Sequence, residues 1–151
     1  MAYWLFKTEP DEFGIDDLAA LAGKPEPWNG IRNYQARNIL RDQVQHGDQA
    51  FIYHSSCKLV GIAGTATVSR AAYADPDQFD PASKYFDPKA TPERPRWFCV
   101  DVVFDKKFTR LIPLAELKQR AELENMVLLK QGRLSVQPVT KAQWQLITKL
   151  A

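Results

Sequence analysis

Leu59-Val60-Gly61-Ile62-Ala63-Gly64-Thr65-Ala66-Thr67-Val68-Ser69-Arg70-Ala71-Ala72-Tyr73 is the stretch that decides the fold. Its β-branched and alternating residues mark a long strand. Two glycines, Gly61 and Gly64, pierce it, and glycine inside a strand marks a bulge, a bend or a close backbone approach. The reading is a bulged, strongly bent strand of the kind a small barrel needs.

Strands and helices extend from it in both directions. Upstream, Ala50–His54 reads as a strand, preceded by a helix of about 12 residues that starts near Asn33 and is stopped by His46-Gly47-Asp48. That helix carries Tyr34, Ile39, Leu40 and Val44 on its apolar side. Lys24–Gly30 reads as a loop from its prolines and Asn-Gly. A first amphipathic helix carries Ile15, Leu18, Leu21 and Ala22, with Asp16 and Asp17 in its first turn and Gly23 and Pro25 ending it. The aromatic run Tyr3–Lys7 reads as a short buried strand, broken at Thr8-Glu9-Pro10-Asp11.

Downstream, Asp75–Arg96 holds Pro76, Pro81, Pro88, Pro92 and Pro95 and is longer than unstructured loops usually are, so it reads as a lid. Trp97–Phe104 resumes a strand, placed centrally in the sheet, and Phe108–Ile112 continues it. Pro113 opens a helix with Leu114 and Leu117, Met126–Leu129 forms a further turn, and Arg133–Val139 is extended. Thr140 with Gln143 forms a capping box for a last helix bearing Trp144, Ile147 and Leu150. Helices inserted irregularly between strands give an α+β domain spanning 1–151, with a partly closed β-barrel and flanking helices.

Composition narrows the function. The chain is 45% hydrophobic and 25% charged with a net charge of +2, values of a folded soluble protein with a mild basic bias. No apolar run approaches the roughly 20 residues that would span a bilayer, and the N-terminus lacks a secretory signal, so the expectation is an intracellular, cytoplasmic protein with no membrane partner. Cys57 and Cys99 lack CxxC spacing and are expected to be free thiols. Neither GxxxxGKS/T nor GxGxxG occurs, and two histidines with two distant cysteines predict no metal.

Three constellations remain. His54-Ser55-Ser56-Cys57 sets a base beside nucleophiles at a strand end, although neighbours on a strand point to opposite faces. Glu9, Asp11, Glu12, Asp16 and Asp17 form either an acid–base set or a cluster serving the first helix's N-terminus. Trp28-Asn29-Gly30-Ile31-Arg32-Asn33-Tyr34-Gln35-Ala36-Arg37-Asn38 brings arginines, asparagines and aromatics into a loop entering a helix, the groups that hold a splayed base and its phosphate.

The order of Tyr3–Pro10, Trp28–Asn38, Phe51–Ser55, Gly61–Gly64, Asp87-Pro88-Lys89, Trp97–Val102 and Arg133–Pro138 resembles the EVE domain family along essentially the full chain. The resemblance implies a PUA-like fold related to the YTH readers of methylated adenine. It also implies a non-catalytic function without cofactor: binding nucleic acid that carries a modified base, either modified cytosine in DNA or a modified base in RNA, flipped into an aromatic pocket. Carried over by position, that pocket comprises Lys7, Glu9, Trp28, Asn29, Arg32, Asn33, Tyr53, His54, Ser55, Trp97, Arg133, Leu134 and Ser135. Stacking falls to Trp28 and Trp97, base-edge contacts to Asn29, Ser55 and Ser135, and phosphate contacts to Lys7, Arg32 and Arg133, which would also hold a small anion. Two departures stand out. Ser56 sits where relatives often have asparagine, and Leu59-Val60 precedes Gly61 where proline is expected. Two other readings stay open, an enzyme acting on a nucleotide or nucleic acid with Glu9 or His54 as base, and a protein adaptor using Asp75–Arg96. Oligomeric state is not readable.

Overall fold

The computed structural model describes all of residues 1–151. Six strands form one sheet in the order β2-β5-β4-β3-β1-β6: β1 Tyr3–Thr8, β2 Glu26–Trp28, β3 Gln49–His54, β4 Gly61–Ala74, β5 Phe98–Pro113 and β6 Val136–Val139. β1 runs parallel to β3, and every other pairing is antiparallel. Five helices flank it, α1 Ile15–Ala20, α2 Tyr34–Asp42, α3 Leu114–Lys118, α4 Val127–Lys130 and α5 Lys141–Leu150. The expected α+β class is observed, and the barrel stays open, with β2 and β6 as its two edges.

The pairing of β4 with β5 is irregular and close at the two glycines. A side chain on Gly64 would stand 2.2 Å from the Lys106 carbonyl, and one on Gly61 2.2 Å from the Ile112 carbonyl. β4 and β5 therefore approach more closely than any Cβ allows, and their register shifts four times along the pair. β5 runs unbroken through Asp105-Lys106-Lys107, where Lys106 and Lys107 pair with Thr65 and Gly64 of β4. β5 lies inside the sheet as expected, because the three-residue β2 pairs on its outer side and β4 on its inner side, while β4 and β3 occupy the middle.

β2 corrects the loop reading of Lys24–Gly30. Prolines argue against an interior strand, but Pro27 sits on an edge strand, where a missing N–H costs no ladder bond.

Both sheet faces are covered, which explains why β1 and β3 do not alternate in hydrophobicity. Trp4, Phe6, Ala50 and Ile52 pack against Leu18 of α1 and Ile39 and Leu40 of α2. Leu5, Phe51, Tyr53 and Ile62 pack on the other face against Leu117, Trp144 and Ile147. Asp48 is buried, and its carboxylate accepts from the Trp4 indole, from Ala2 N–H and from Gln45 N–H, tying the start of β3 to β1.

Asp75–Arg96 is an ordered strap rather than a free lid. A 3₁₀ turn at Pro76–Phe79 begins it. Buried Gln78 then bonds at both ends of its amide, donating to the Asp75 and Trp97 carbonyls and accepting from Arg96 and Trp97 N–H. A fully satisfied buried amide fixes both ends of the segment relative to β5.

Candidate functional site

The largest cavity, about 1000 Å³, opens at the C-terminal ends of the parallel pair β1 and β3. Lys7, Thr8 and Glu9 come from β1 and its exit, Ser55 and Ser56 follow β3, and Glu26–Ile31 run along β2 and into the loop that leads to α2. The far wall is Gly132, Arg133 and Ser135 before β6. Glu12, Phe13, Lys84 and Tyr85 close the sides. The gap between edge strands β2 and β6 thus becomes the site, and both strand ends supply polar groups to it.

Seven expected residues share this cavity, Lys7, Glu9, Trp28, Asn29, Ser55, Arg133 and Ser135. Six do not line it. Trp97 is buried, stacks on Tyr34 at 4.8 Å and donates its indole N–H to Asp87 at 2.8 Å. Leu134 belongs to the core, and Tyr53 points into the opposite core because it alternates with Ile52 on β3. Asn33 caps α2, accepting from Ala36 N–H at 2.9 Å. His54 accepts through Nε2 from Ile15 N–H at 3.1 Å and so pins the start of α1, and burial holds its pKa down.

Arg32 was expected to hold phosphate but is engaged within the protein. Its Nη1 meets the fully buried Asp75 carboxylate at 3.0 Å, and Nε and Nη2 both donate to the Tyr85 carbonyl. Asp75 also accepts from Gly30 N–H at 2.9 Å. Gly30 itself has φ +80°, and any Cβ there would strike the Tyr85 ring at 2.8 Å. This knot seats the strap against the loop after β2 and turns Tyr85 and Lys84 into cavity wall. Sequence reasoning missed Tyr85 for that reason: nothing local ties it to Arg32.

Trp28 is 6% exposed, edge-on to Phe13 at 6.2 Å and tilted against Phe6 at 5.9 Å. It forms a floor rather than an open platform, while Tyr85 and Phe13 remain partly exposed beside it. Lys7 is half-buried, and desolvation lowers its pKa. Its ammonium donates to the Gly132 carbonyl and lies 5.5 Å from the Tyr53 ring, where burial has pushed the phenol up to about 12. Asn29 donates to Asp77 at 2.9 Å, leaving its amide oxygen to accept. Ser55 donates to the Thr8 carbonyl over a long 3.4 Å, and Lys84 pairs with Glu12 at 2.6 Å. Arg133 is exposed and makes no ion pair. No helix is long and apolar enough to cross a membrane.

Fold and cavity together define a small α+β domain with a polar hollow over an aromatic floor at the seam of an open sheet. The chain belongs to the EVE domain family, which matches residues 2–150. It is 40% identical to human thymocyte nuclear protein 1 over 99% of this chain and 73% of that protein. A protein from Pseudomonas putida has a solved structure that matches with a TM-score of 0.94 at 51% identity, covering 99% of each chain. The human THYN1 protein, crystallised in complex with 5-methylcytosine-containing DNA, matches with a TM-score of 0.94 at 40% identity over 99% of this chain and 97% of that one.

Proposed function

We propose that this protein binds DNA by taking one modified cytosine, flipped out of the duplex, into the cavity between β2 and β6, and that it does so without catalysis. The observation that carries the reading is the coincidence of a cavity of about 1000 Å³ at the sheet seam with close likeness to a protein crystallised on 5-methylcytosine-containing DNA. A flipped base needs an aromatic face and polar partners along its edge. Tyr85, Phe13 and the exposed margin of Trp28 supply the face. Asn29, Ser55, Ser56 and Ser135 supply the edge, and Arg133 and Lys7 take the flanking phosphates or a small anion. An intracellular, cytoplasmic setting accords with such a ligand.

His54 is not placed to act as the base of an enzyme, because its Nε2 lone pair is already used by Ile15 N–H and it lies off the cavity wall. A general base must reach the proton it removes. The test is binding of the purified protein to matched oligonucleotides, DNA and RNA, single- and double-stranded, that differ only in a single cytosine or 5-methylcytosine. Tighter binding of the methylated DNA supports the reading. Equal affinity for both bases, or no binding even at low salt, overturns it, and preference for the RNA strands reassigns the ligand.

A further inference from the structure

Three carboxylates face the cavity, and they differ in how they are satisfied. Glu12 pairs with Lys84 at 2.6 Å, and Glu9 is exposed at the rim, where water solvates it. Glu26 is partly buried and makes neither a side-chain hydrogen bond nor an ion pair within the protein. Neither lysine of the cavity is its partner, since Lys7 donates to the Gly132 carbonyl and Lys84 is held by Glu12, and Arg133 forms no ion pair with it. Its neighbour Asp101 accepts from the Tyr73 hydroxyl at 2.5 Å and is no donor either. Burial and then the charge of Asp101 push the Glu26 carboxyl up, so a donor arriving from outside relieves a cost that the free protein carries.

Position adds to this. Glu26 and Trp28 are two residues apart on β2 and therefore project to the same face, which sets the Glu26 carboxylate beside the aromatic floor in the cavity lining. An ionised carboxylate is acceptor-only and suits the exocyclic amino group of cytosine, whereas the O4 oxygen of thymine would set acceptor against acceptor.

We propose that Glu26 reads the exocyclic amino group of the bound base, so that the cavity selects an amino pyrimidine over its keto counterpart. This rests on the base-binding function proposed above, and the experiment separates the two. Duplexes carrying 5-methylcytosine or thymine at one position, each opposite guanine, are titrated with the wild-type protein, E26Q and E122Q. The two bases share the 5-methyl group, and the T·G pair is the easier to open, which works against the expected preference.

The wild type is expected to favour 5-methylcytosine by about tenfold or more, the scale of a well-placed base-edge contact. E26Q, whose amide can donate to O4, is expected to bring the ratio within about threefold, chiefly by gaining affinity for thymine. E122Q, a change at an exposed glutamate outside the cavity, is expected to keep the wild-type ratio. An unchanged ratio in E26Q, or an equal collapse in E122Q, overturns the role of Glu26 while methylation-dependent binding by the wild type leaves the function standing. A wild type that binds neither duplex overturns both.

Discussion

Trp28 serves core and cavity at once, and that limits what its removal can report. It is 6% exposed and packs on Phe6 and Phe13, so Trp28→Ala is expected to cost about 3–5 kcal/mol of stability, read as a lower denaturant midpoint. Loss of binding in that variant would mix unfolding with lost contact. Arg133→Ala isolates the contact, because the side chain is exposed and unpaired. Its melting temperature should match the wild type, while DNA affinity falls and the slope of log K against log salt shrinks by about one. A salt slope that does not change would show that Arg133 touches no phosphate. Ser56 has φ +54°, a left-handed conformation that asparagine adopts more readily than serine. Ser56→Asn should therefore raise stability by roughly 0.5 kcal/mol in chemical denaturation, and the backbone gives a physical reason for the asparagine expected at this position.

Among the elements, β4 carries the sharpest constraint. Gly64→Ala places a methyl 2.2 Å from a backbone carbonyl and should destabilise by about 1–3 kcal/mol, measurable by denaturant titration. The start of α1 depends on a neutral histidine. Burial lowers the folded pKa of His54 below its ordinary 6.5, so the unfolded chain takes up the proton first. His54 thus contributes stability above about pH 6.5 that is lost as the pH falls from there, since protonation removes the acceptor used by Ile15 N–H. Melting temperatures should decline from pH 7 to pH 5 more steeply in the wild type than in His54→Gln. The strap depends on Arg32. Arg32→Gln should speed hydrogen exchange across residues 75–96 and leave β3 as protected as before.

Across the whole molecule, what was legible in the sequence followed local chemistry. Gly61 and Gly64 announce the bend, the Thr140–Gln143 capping box announces α5, and the aromatic run at Tyr3 announces a strand buried on both faces. The illegible parts depend on partners distant in sequence. Pro25 and Pro27 look like a loop until β5 is known to lie beside them. Arg32 looks like a phosphate ligand until Asp75 and the Tyr85 carbonyl arrive from the strap, and Trp97 looks like a stacking face until Tyr34 covers it. Seven of the thirteen expected site residues meet at one cavity because the ends of four strands, β1, β2, β3 and β6, converge there, a consequence of sheet order that no single motif states. On the proposed function the base enters this cavity and no other surface. The decisive measurement is an amide chemical-shift titration of isotope-labelled protein with a duplex carrying one 5-methylcytosine. Shifts concentrated at Trp28–Ile31, Ser55–Ser56, Tyr85 and Gly132–Ser135 are predicted, and shifts confined to the α3–α5 face with those amides unmoved would contradict it.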